Sequence, residues 1–393
     1  MVVVPSQMGR LNKRALLTQL QRLGTASRAD LAKSLGLSQP TAGKIVDELL
    51  ELGAFEEVAA TNETPGESQG AAAKPGRPGR MLRLTRSRAR FLGIQLGVTQ
   101  TSLAPLPIGI GDTGEDSWPM QFRTPRTPGD WVWQLEKMAA QIEQKSFWGI
   151  LVSAPGLVDE QKSEILYSPN LHWTEKARLP ALVRQVWRAP VLLLQEERAL
   201  ALGHHANDPS DGDFLLVDFG EGVGGAVMLG GRLFAHPLPI GGELGHTPVP
   251  GNERVCGCGA IGCLETLVST RGLVKSLAAA SGNMARNWEA LEKHVAQHGV
   301  VPWLARSLEA TASVIAGALN VLGLRRVVVT GTLNELPPAV LSYLKDAVNR
   351  GTLWARFGEV KVEGAPRRRK AGLVAAGIDR FIVPVGDAEL NSP

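Results

Sequence analysis

The sequence predicts a small helical head with a β-wing, followed by an α/β body large enough for two lobes. Three observations predict it. Apolar residues recur at helical spacing between capping residues over 10–52. From about residue 90 strands and helices alternate, as in a layered α/β domain. Charge is divided unevenly: residues 1–90 hold 14 Lys/Arg against 8 Asp/Glu, and the remainder holds 28 against 30. A basic front on a mildly acidic body points to a polyanionic partner for the front alone. At 393 residues the chain is too long for one ordinary core. Its 44% hydrophobic content and mean hydropathy of −0.01 fit a globular protein. No apolar run approaches the ~20 residues a membrane helix needs. Residues 1–14 lack the apolar segment of a signal peptide. Three clustered cysteines argue for a reducing, cytoplasmic setting.

In the head, Leu11, Ala15, Leu16, Leu20 and Leu23 share one helical face, and Gly24 stops that helix. Ser27 and Asp30 read as a cap for a short helix over 29–35. Gly36 allows a tight turn. Ser38 caps a third helix with Pro40 in its first turn and Ile45, Val46, Leu49, Leu50 and Leu52 on its apolar face; Gly53 ends it. This is a helix-turn-helix plan. The first turn of the third helix carries Ser38, Gln39, Thr41 and Lys44, short polar groups and a cation suited to base edges and phosphates. Residues 55–58 and 81–84 read as two wing strands. Between them, 59–74 is polar and expected to be mobile. Residues 75–80 (Pro-Gly-Arg-Pro-Gly-Arg) form a narrow cationic arm whose Arg77 and Arg80 suit a minor groove. The head is therefore placed at 1–84, with a linker over 59–80.

In the body, strands are expected at 91–99, 147–153, 191–194, 214–219 and 326–330, with helices at 196–206, 308–322 and 371–378. The stretch 220–227 reads as a glycine turn able to cradle phosphate with backbone N–H groups. Gly331 and Thr332 end another strand in a similar turn. No short internal repeat is visible.

All three cysteines lie in Cys256-Gly257-Cys258-Gly259-Ala260-Ile261-Gly262-Cys263-Leu264-Glu265. The spacing is that of metal-ligating thiols, and the glycines let the backbone fold around one ion. Tetrahedral zinc takes a fourth ligand, for which His246, ten residues upstream of Cys256, is the best candidate. A disulfide would leave one thiol over.

These pieces carry a resemblance. Gly93-Ile94-Gln95-Leu96-Gly97, Ala154 to Asp159, Ser168-Pro169-Asn170-Leu171, Gly220 to Gly225, Gly242-Glu243-Leu244-Gly245-His246 and the cysteine motif through Glu265 resemble the ROK family of repressors and sugar kinases. The resemblance implies a two-lobed α/β actin-like (ribonuclease-H-like) ATPase fold behind a winged helix-turn-helix, with one lobe at 85–195 plus 371–393 and the other, carrying the zinc loop, at 196–370. It implies a structural zinc on His246, Cys256, Cys258 and Cys263. It implies a sugar bound by Asn170, Glu243, His246 and Glu265, with the carboxylate of Glu196 available to a sugar hydroxyl. A histidine holding zinc through one ring nitrogen can offer the other to a hydroxyl.

Against the kinases of that family, two carboxylate positions are altered. Gln95 stands where an aspartate organises Mg²⁺ and nucleotide, and a neutral amide has little claim on a divalent cation. The base position is Glu196, longer by one methylene, flanked by Gln195 and Arg198 in place of asparagines. A displacement of ~1 Å in such a base costs about 10²-fold in rate. Glu221 adds an anion at the phosphate turn. The sequence thus reads as a non-enzymatic, sugar-responsive DNA-binding regulator, a repressor, acting as a homodimer or homotetramer on an inverted-repeat operator. An active sugar kinase with a DNA-binding head, and a regulator whose sugar site has decayed, are the competing readings.

Overall fold

The computed structural model describes residues 5–58, 80–110, 118–207, 212–235, 238, 240–282 and 287–384. The linker over 59–79, with Arg77, lies outside the described residues. The head comprises α1 (Pro5–Leu23), β1 (Ala26–Ser27), α2 (Arg28–Ser34), α3 (Gln39–Leu52), β2 (Phe55–Val58) and β3 (Met81–Leu84). Ser27 and Asp30 form the expected capping box, each side chain accepting from the other's backbone N–H. Ser38 caps α3 by accepting from the Thr41 N–H, and Gly53 closes it in the left-handed conformation. The wing has three strands in the order β1-β3-β2, all antiparallel. β1 is two residues long, too short to show a period of two. α1 begins five residues ahead of the expected start at residue 10.

The body opens with β4 (Ala89–Leu96), β5 (Gln100–Pro107), β6 (Met120–Arg123), α4 (Pro128–Gln141), β7 (Gly149–Ala154), β8 (Leu157–Asp159), β9 (Glu164–Tyr167), α5 (Leu179–Val186) and β10 (Val191–Gln195). It continues with α6 (Glu196–Asn207), β11 (Phe214–Phe219), β12 (Val223–Leu229), β13 (Arg232–Leu233), α7 (Glu265–Val268), α8 (Thr270–Ala280), α9 (Trp288–His298) and α10 (Pro302–Leu322). It ends with β14 (Arg326–Gly331), α11 (Thr332–Glu335), α12 (Pro338–Gly351), β15 (Lys361–Gly364) and α13 (Arg369–Gly377). One sheet has the order β10-β7-β4-β5-β6, the other β13-β12-β11-β14-β15. Each is an antiparallel meander of three strands with two parallel strands added beside the first. The two halves thus repeat one topology without a repeat in sequence. β7 and β11 are buried at every residue, which is why they read as unbroken apolar runs. The expected turn over 220–227 is shorter: only 220–222 turn, and Val223 onward is strand β12.

The head does not hang from a tether. Its buried Leu16, Leu20, Ile45, Leu49 and Leu82 belong to one apolar cluster with Phe91 and Leu106 of the first sheet and Leu373, Val374 and Ile378 at α13. Thr85 N–H donates to Ala54 O at 3.0 Å, Arg90 donates to Gly53 O, and Arg14 Nη2 lies 2.8 Å from Asp379 Oδ2 just beyond α13.

α6 and α13 meet backbone to backbone. A Cβ at Gly203 would lie 1.9 Å from Arg368 O, and one at Gly372 would lie 1.7 Å from Ala199 O. Gly372→Ala is therefore expected to destabilise by about 1–3 kcal/mol through overpacking. Gly317, in α10 with nothing near it, is the control: Gly317→Ala should stabilise by about 0.5–1 kcal/mol. Urea titration measures both, and equal effects would contradict the close crossing.

Candidate functional site

The cysteine loop folds on itself. Cys256 N–H donates to Ala260 O at 2.8 Å, Gly259 N–H donates to Cys256 O at 3.0 Å, and Val255 bridges Ile261. Asn252 and Arg254 brace it from behind, Asn252 Nδ2 donating to Cys263 O at 3.1 Å and Arg254 Nη1 to Thr266 O at 2.7 Å. The ligand atoms of His246, Cys256, Cys258 and Cys263 all lie within 4.8 Å of one another. Cys258 and Cys263 Sγ are 3.7 Å apart, as are Cys256 Sγ and His246 Nδ1. A tetrahedral ion with metal–sulfur bonds of about 2.3 Å sets its sulfurs roughly 3.8 Å apart, so the four groups fit one such ion. Burial pushes the Cys256 thiol up to about 12 and raises Cys263 as well. Cys258 is lowered: burial opposes this, but the Ala260 N–H and the neighbouring thiols outweigh it. A bound cation would favour all three thiolates.

His246 joins this centre to a cleft. Its Nδ1 faces Cys256, and its Nε2 lies 3.8 Å from Glu243 Oε2. Gln195 Nε2 donates to Glu243 Oε1 at 3.2 Å from the end of β10. Glu265 Oε2 accepts from Val223 N–H at 3.2 Å, while its Oε1 is 3.8 Å from Cys256 Sγ. Gln195, Glu243, His246 and Glu265 are therefore contiguous. Burial raises the Glu243 carboxyl, partly offset by His246 and Gln195.

Asn170 lies on the other side, in the loop after β9. There Tyr167 Oη donates to Gly257 O at 3.5 Å, and a Cβ at Gly257 would meet Pro169 Cβ at 3.7 Å. Asn170 lines a separate cavity of about 1060 Å³ along the first sheet's edge.

Glu196 is not free. The buried Arg369, at the start of α13, donates to its Oε1. Arg198 donates to Glu160 Oε1 at 2.8 Å and to Phe234 O at 3.3 Å. Glu197 lies inside, against Gly224, and its Oε2 is buried with no hydrogen-bond partner among the described residues. Burial, then Glu196 and Glu243, push its carboxyl well up.

The glycine turns at Gly220 and Gly331 hold the guanidinium of Arg367. Its Nε and Nη2 donate to Asp218 Oδ1 and Oδ2 at 2.8 and 2.9 Å, and Nη2 also reaches Phe219 O at 2.9 Å. A Cβ at Gly220 or Gly331 would lie 2.8 or 2.4 Å from Nη2. Burial disfavours the charge on both partners, yet their pairing holds Asp218 below and Arg367 above their ordinary values. Arg367, Arg369 and Glu197 were missed by sequence reading. The run Arg367-Arg368-Arg369-Lys370 and the pair Glu196-Glu197 were the signals available.

In the head, Ser38, Gln39, Thr41 and Lys44 are all exposed at the start of α3. Ser38 Oγ is 2.8 Å from Thr41 Oγ1. Arg80, rather than standing free, lies 2.5 Å from Glu57 at the wing, an exposed pair of small energetic worth.

Paired sheets of one topology around an interlobe cleft define the two-lobed actin-like ATPase fold. The ROK family model matches residues 91–376, and the chain belongs to the ROK family. It is similar to the xylose repressor of Caldicellulosiruptor bescii, 24% identical over 92% of this chain and 93% of the relative. It is equally similar, at 24%, to the DNA-binding transcriptional dual regulator NagC of Escherichia coli over 88% of this chain and 86% of that one. Among solved structures, a ROK family transcriptional regulator homologous to the E. coli MLC protein superposes with a TM-score of 0.74. It covers 96% of this chain and 98% of its own at 19% identity. A ROK glucokinase from Streptomyces griseus, in complex with glucose and AMPPNP, matches with a TM-score of 0.60 and 23% identity over 73% of this chain and 97% of its own.

Glu197 yields a pH prediction. Its folded carboxyl keeps a proton that the unfolded chain releases in the ordinary carboxylate range, so it lowers stability as pH rises from that range through its raised value. Glu197→Gln cannot ionise. It should melt above wild type at pH 8, with the gap closing toward pH 5, in thermal scans; a gap independent of pH would refute the neutral carboxyl.

Proposed function

We propose that this protein is a sugar-responsive DNA-binding transcriptional regulator, a repressor, whose kinase-like body senses a sugar without phosphorylating it. The observation that carries the reading is α13. Its first residue, Arg369, holds Glu196 at the cleft, and just past its end Asp379 holds Arg14 of the head. A ligand that rearranges the cleft therefore acts on an element bonded to the DNA-reading module. Ile382 and Pro384, beyond Asp379, also face Thr41 and Lys44 across a cavity of about 610 Å³.

The division of labour follows the sequence. Residues 1–84 read DNA through Ser38, Gln39, Thr41 and Lys44 in a major groove, with Arg77 and Arg80 in the neighbouring minor groove; Arg80 would exchange Glu57 for phosphate or base edges. Residues 85–195 with 371–393, and 196–370, are the two lobes. A sugar between them engages Glu243, His246 and Glu265, with Asn170 opposite. Zinc on His246, Cys256, Cys258 and Cys263 keeps the loop rigid and turns the free imidazole nitrogen to the cleft. A coupling of about 1–3 kcal/mol between sugar and operator is sufficient for control. Homodimers or homotetramers bind an inverted repeat. Relatives bearing the names xylose repressor and N-acetylglucosamine repressor support a sugar effector.

Against phosphoryl transfer stand Gln95, the Glu196–Arg369 pair, and Arg367 with Glu221 at the phosphate turn. A base tied up in an ion pair is a poor proton acceptor.

Anisotropy on promoter DNA, with and without a panel of sugars, tests the reading. Lys44→Ala/Arg77→Ala should lose DNA binding, Glu243→Ala should keep it but lose the sugar response, and Asp379→Asn should keep both ligands while weakening their coupling. A Glu243→Ala protein that responds normally, or a double head variant that binds DNA as wild type does, would overturn the assignment. Metal analysis should find zinc in wild type and little in Cys258→Ser, with a lowered melting temperature; wild type prepared without chelator yet free of zinc would refute the metal centre.

A further inference from the structure

The cavity of about 1060 Å³ beside Asn170 has a character different from the glutamate-lined cleft. It lies between the end of β6, the first turns of α4 and the loop around His172. Arg123 and Arg126 stand on its wall, both exposed, and neither has a carboxylate partner among the described residues. Asp130, the acidic group among its described lining residues, is engaged at the N-terminus of α4, where Thr127 Oγ1 donates to it at 2.6 Å. Two indoles complete the wall. Trp133 is 51% exposed, with Lys137 Nζ 3.3 Å from its ring centroid. Trp173 has its Nε1 shut off from water with no acceptor among the described residues.

We propose that this cavity is a second saccharide subsite, specific for a sugar unit bearing a carboxylate or phosphate, so that the effector is an anionic sugar or glycoside. The inference rests on the sugar-sensing reading above. Guanidinium groups on a concave wall offer planar, charge-assisted recognition of an oxyanion. The exposed Trp133 indole offers a flat apolar face to a pyranose ring. The cavity lies near the cysteine loop: Asn170 lines it, and the adjacent Pro169 is close to Gly257 of that loop. Its size also points beyond a monosaccharide, since cavities of roughly 300–1,000 Å³ accommodate drug-sized ligands. Opposite polarity at the two ends then sets the ligand's direction. Glu243 and Glu265 accept from hydroxyls at one end, and Arg123 and Arg126 take the anion at the other.

Calorimetry on the full-length protein with matched neutral and acidic sugars tests this. The pairs are glucose with glucuronate, galactose with galacturonate, cellobiose with cellobiouronic acid, and xylobiose with glucuronosyl-xylose; glucose 6-phosphate separates a phosphate from a carboxylate preference. The acidic member of at least one pair, or the phosphate, should bind about tenfold or more tightly than its neutral counterpart, the worth of one or two hydrogen bonds to a charged group. Arg123→Ala/Arg126→Ala should abolish that preference, leaving neutral-sugar affinity and DNA binding unchanged. The proposal is overturned if no anionic sugar is preferred, or if the preference survives the double substitution. If neutral sugars bind and Glu243→Ala abolishes that binding, such a failure touches the second subsite alone. If no probe of either kind binds, both readings fall.

Discussion

Where α6 and α13 cross, no side chain separates them: Gly203 faces the Arg368 carbonyl and Gly372 faces that of Ala199. That contact places Arg369 so that its guanidinium, almost wholly removed from water, has Glu196 as its acid partner. Removing one member of such a buried pair typically costs about 3–5 kcal/mol, because the other charge is stranded. The pairing therefore fixes the start of both helices at the cleft. Because the far end of α13 shares its apolar cluster with α1, α3 and the wing, it also fixes the head on the body. Geometry at the cleft and geometry at the exposed start of α3 are two ends of one packed unit.

Much of this was legible in the chain. Ser27, Asp30, Ser38 and Gly53 announce helix ends through local chemistry, and the structure uses each in that way. The cysteine spacing likewise carries its own geometry, and His246 was found because it lies only ten residues away. What escaped notice was non-local. Arg367 meets Asp218 across 149 positions and Arg369 meets Glu196 across 173, and no pattern within a window relates such residues. β1 is two residues long and acquires its strand character from β3 alone. The repeated sheet topology is equally invisible, because a meander with two added parallel strands constrains order and burial rather than residue identity. At Glu196 and Glu197 an offset of one residue decides everything: one is bound to Arg369, and its neighbour is buried with a carboxylate oxygen that has no hydrogen-bond partner among the described residues.

The body combines an ATPase-like architecture with arginine–carboxylate pairs of its own. Sites for phosphoryl transfer need cations arranged around a mobile, highly charged nucleotide. Here two arginines from a single short run bind the protein's own carboxylates, Arg367 pairing with Asp218 between the two glycine turns and Arg369 with Glu196. The glutamates that remain along the cysteine loop are arranged to accept hydrogen bonds, a task that needs no metal–nucleotide complex.

The guanidinium of Arg367 between its two glycine turns has a consequence for how information passes through the molecule. A switch that hydrolyses nucleotide can be held away from equilibrium, so that its state depends on the supply of fuel as well as on its signal. In the regulator proposed above, with that seat filled from within, ligand and DNA would be linked by binding alone, and linkage by binding is reciprocal. The DNA-bound fraction would then follow the ligand concentration of the moment in both directions. It would carry no memory of earlier exposure and draw nothing from the cell's energy supply.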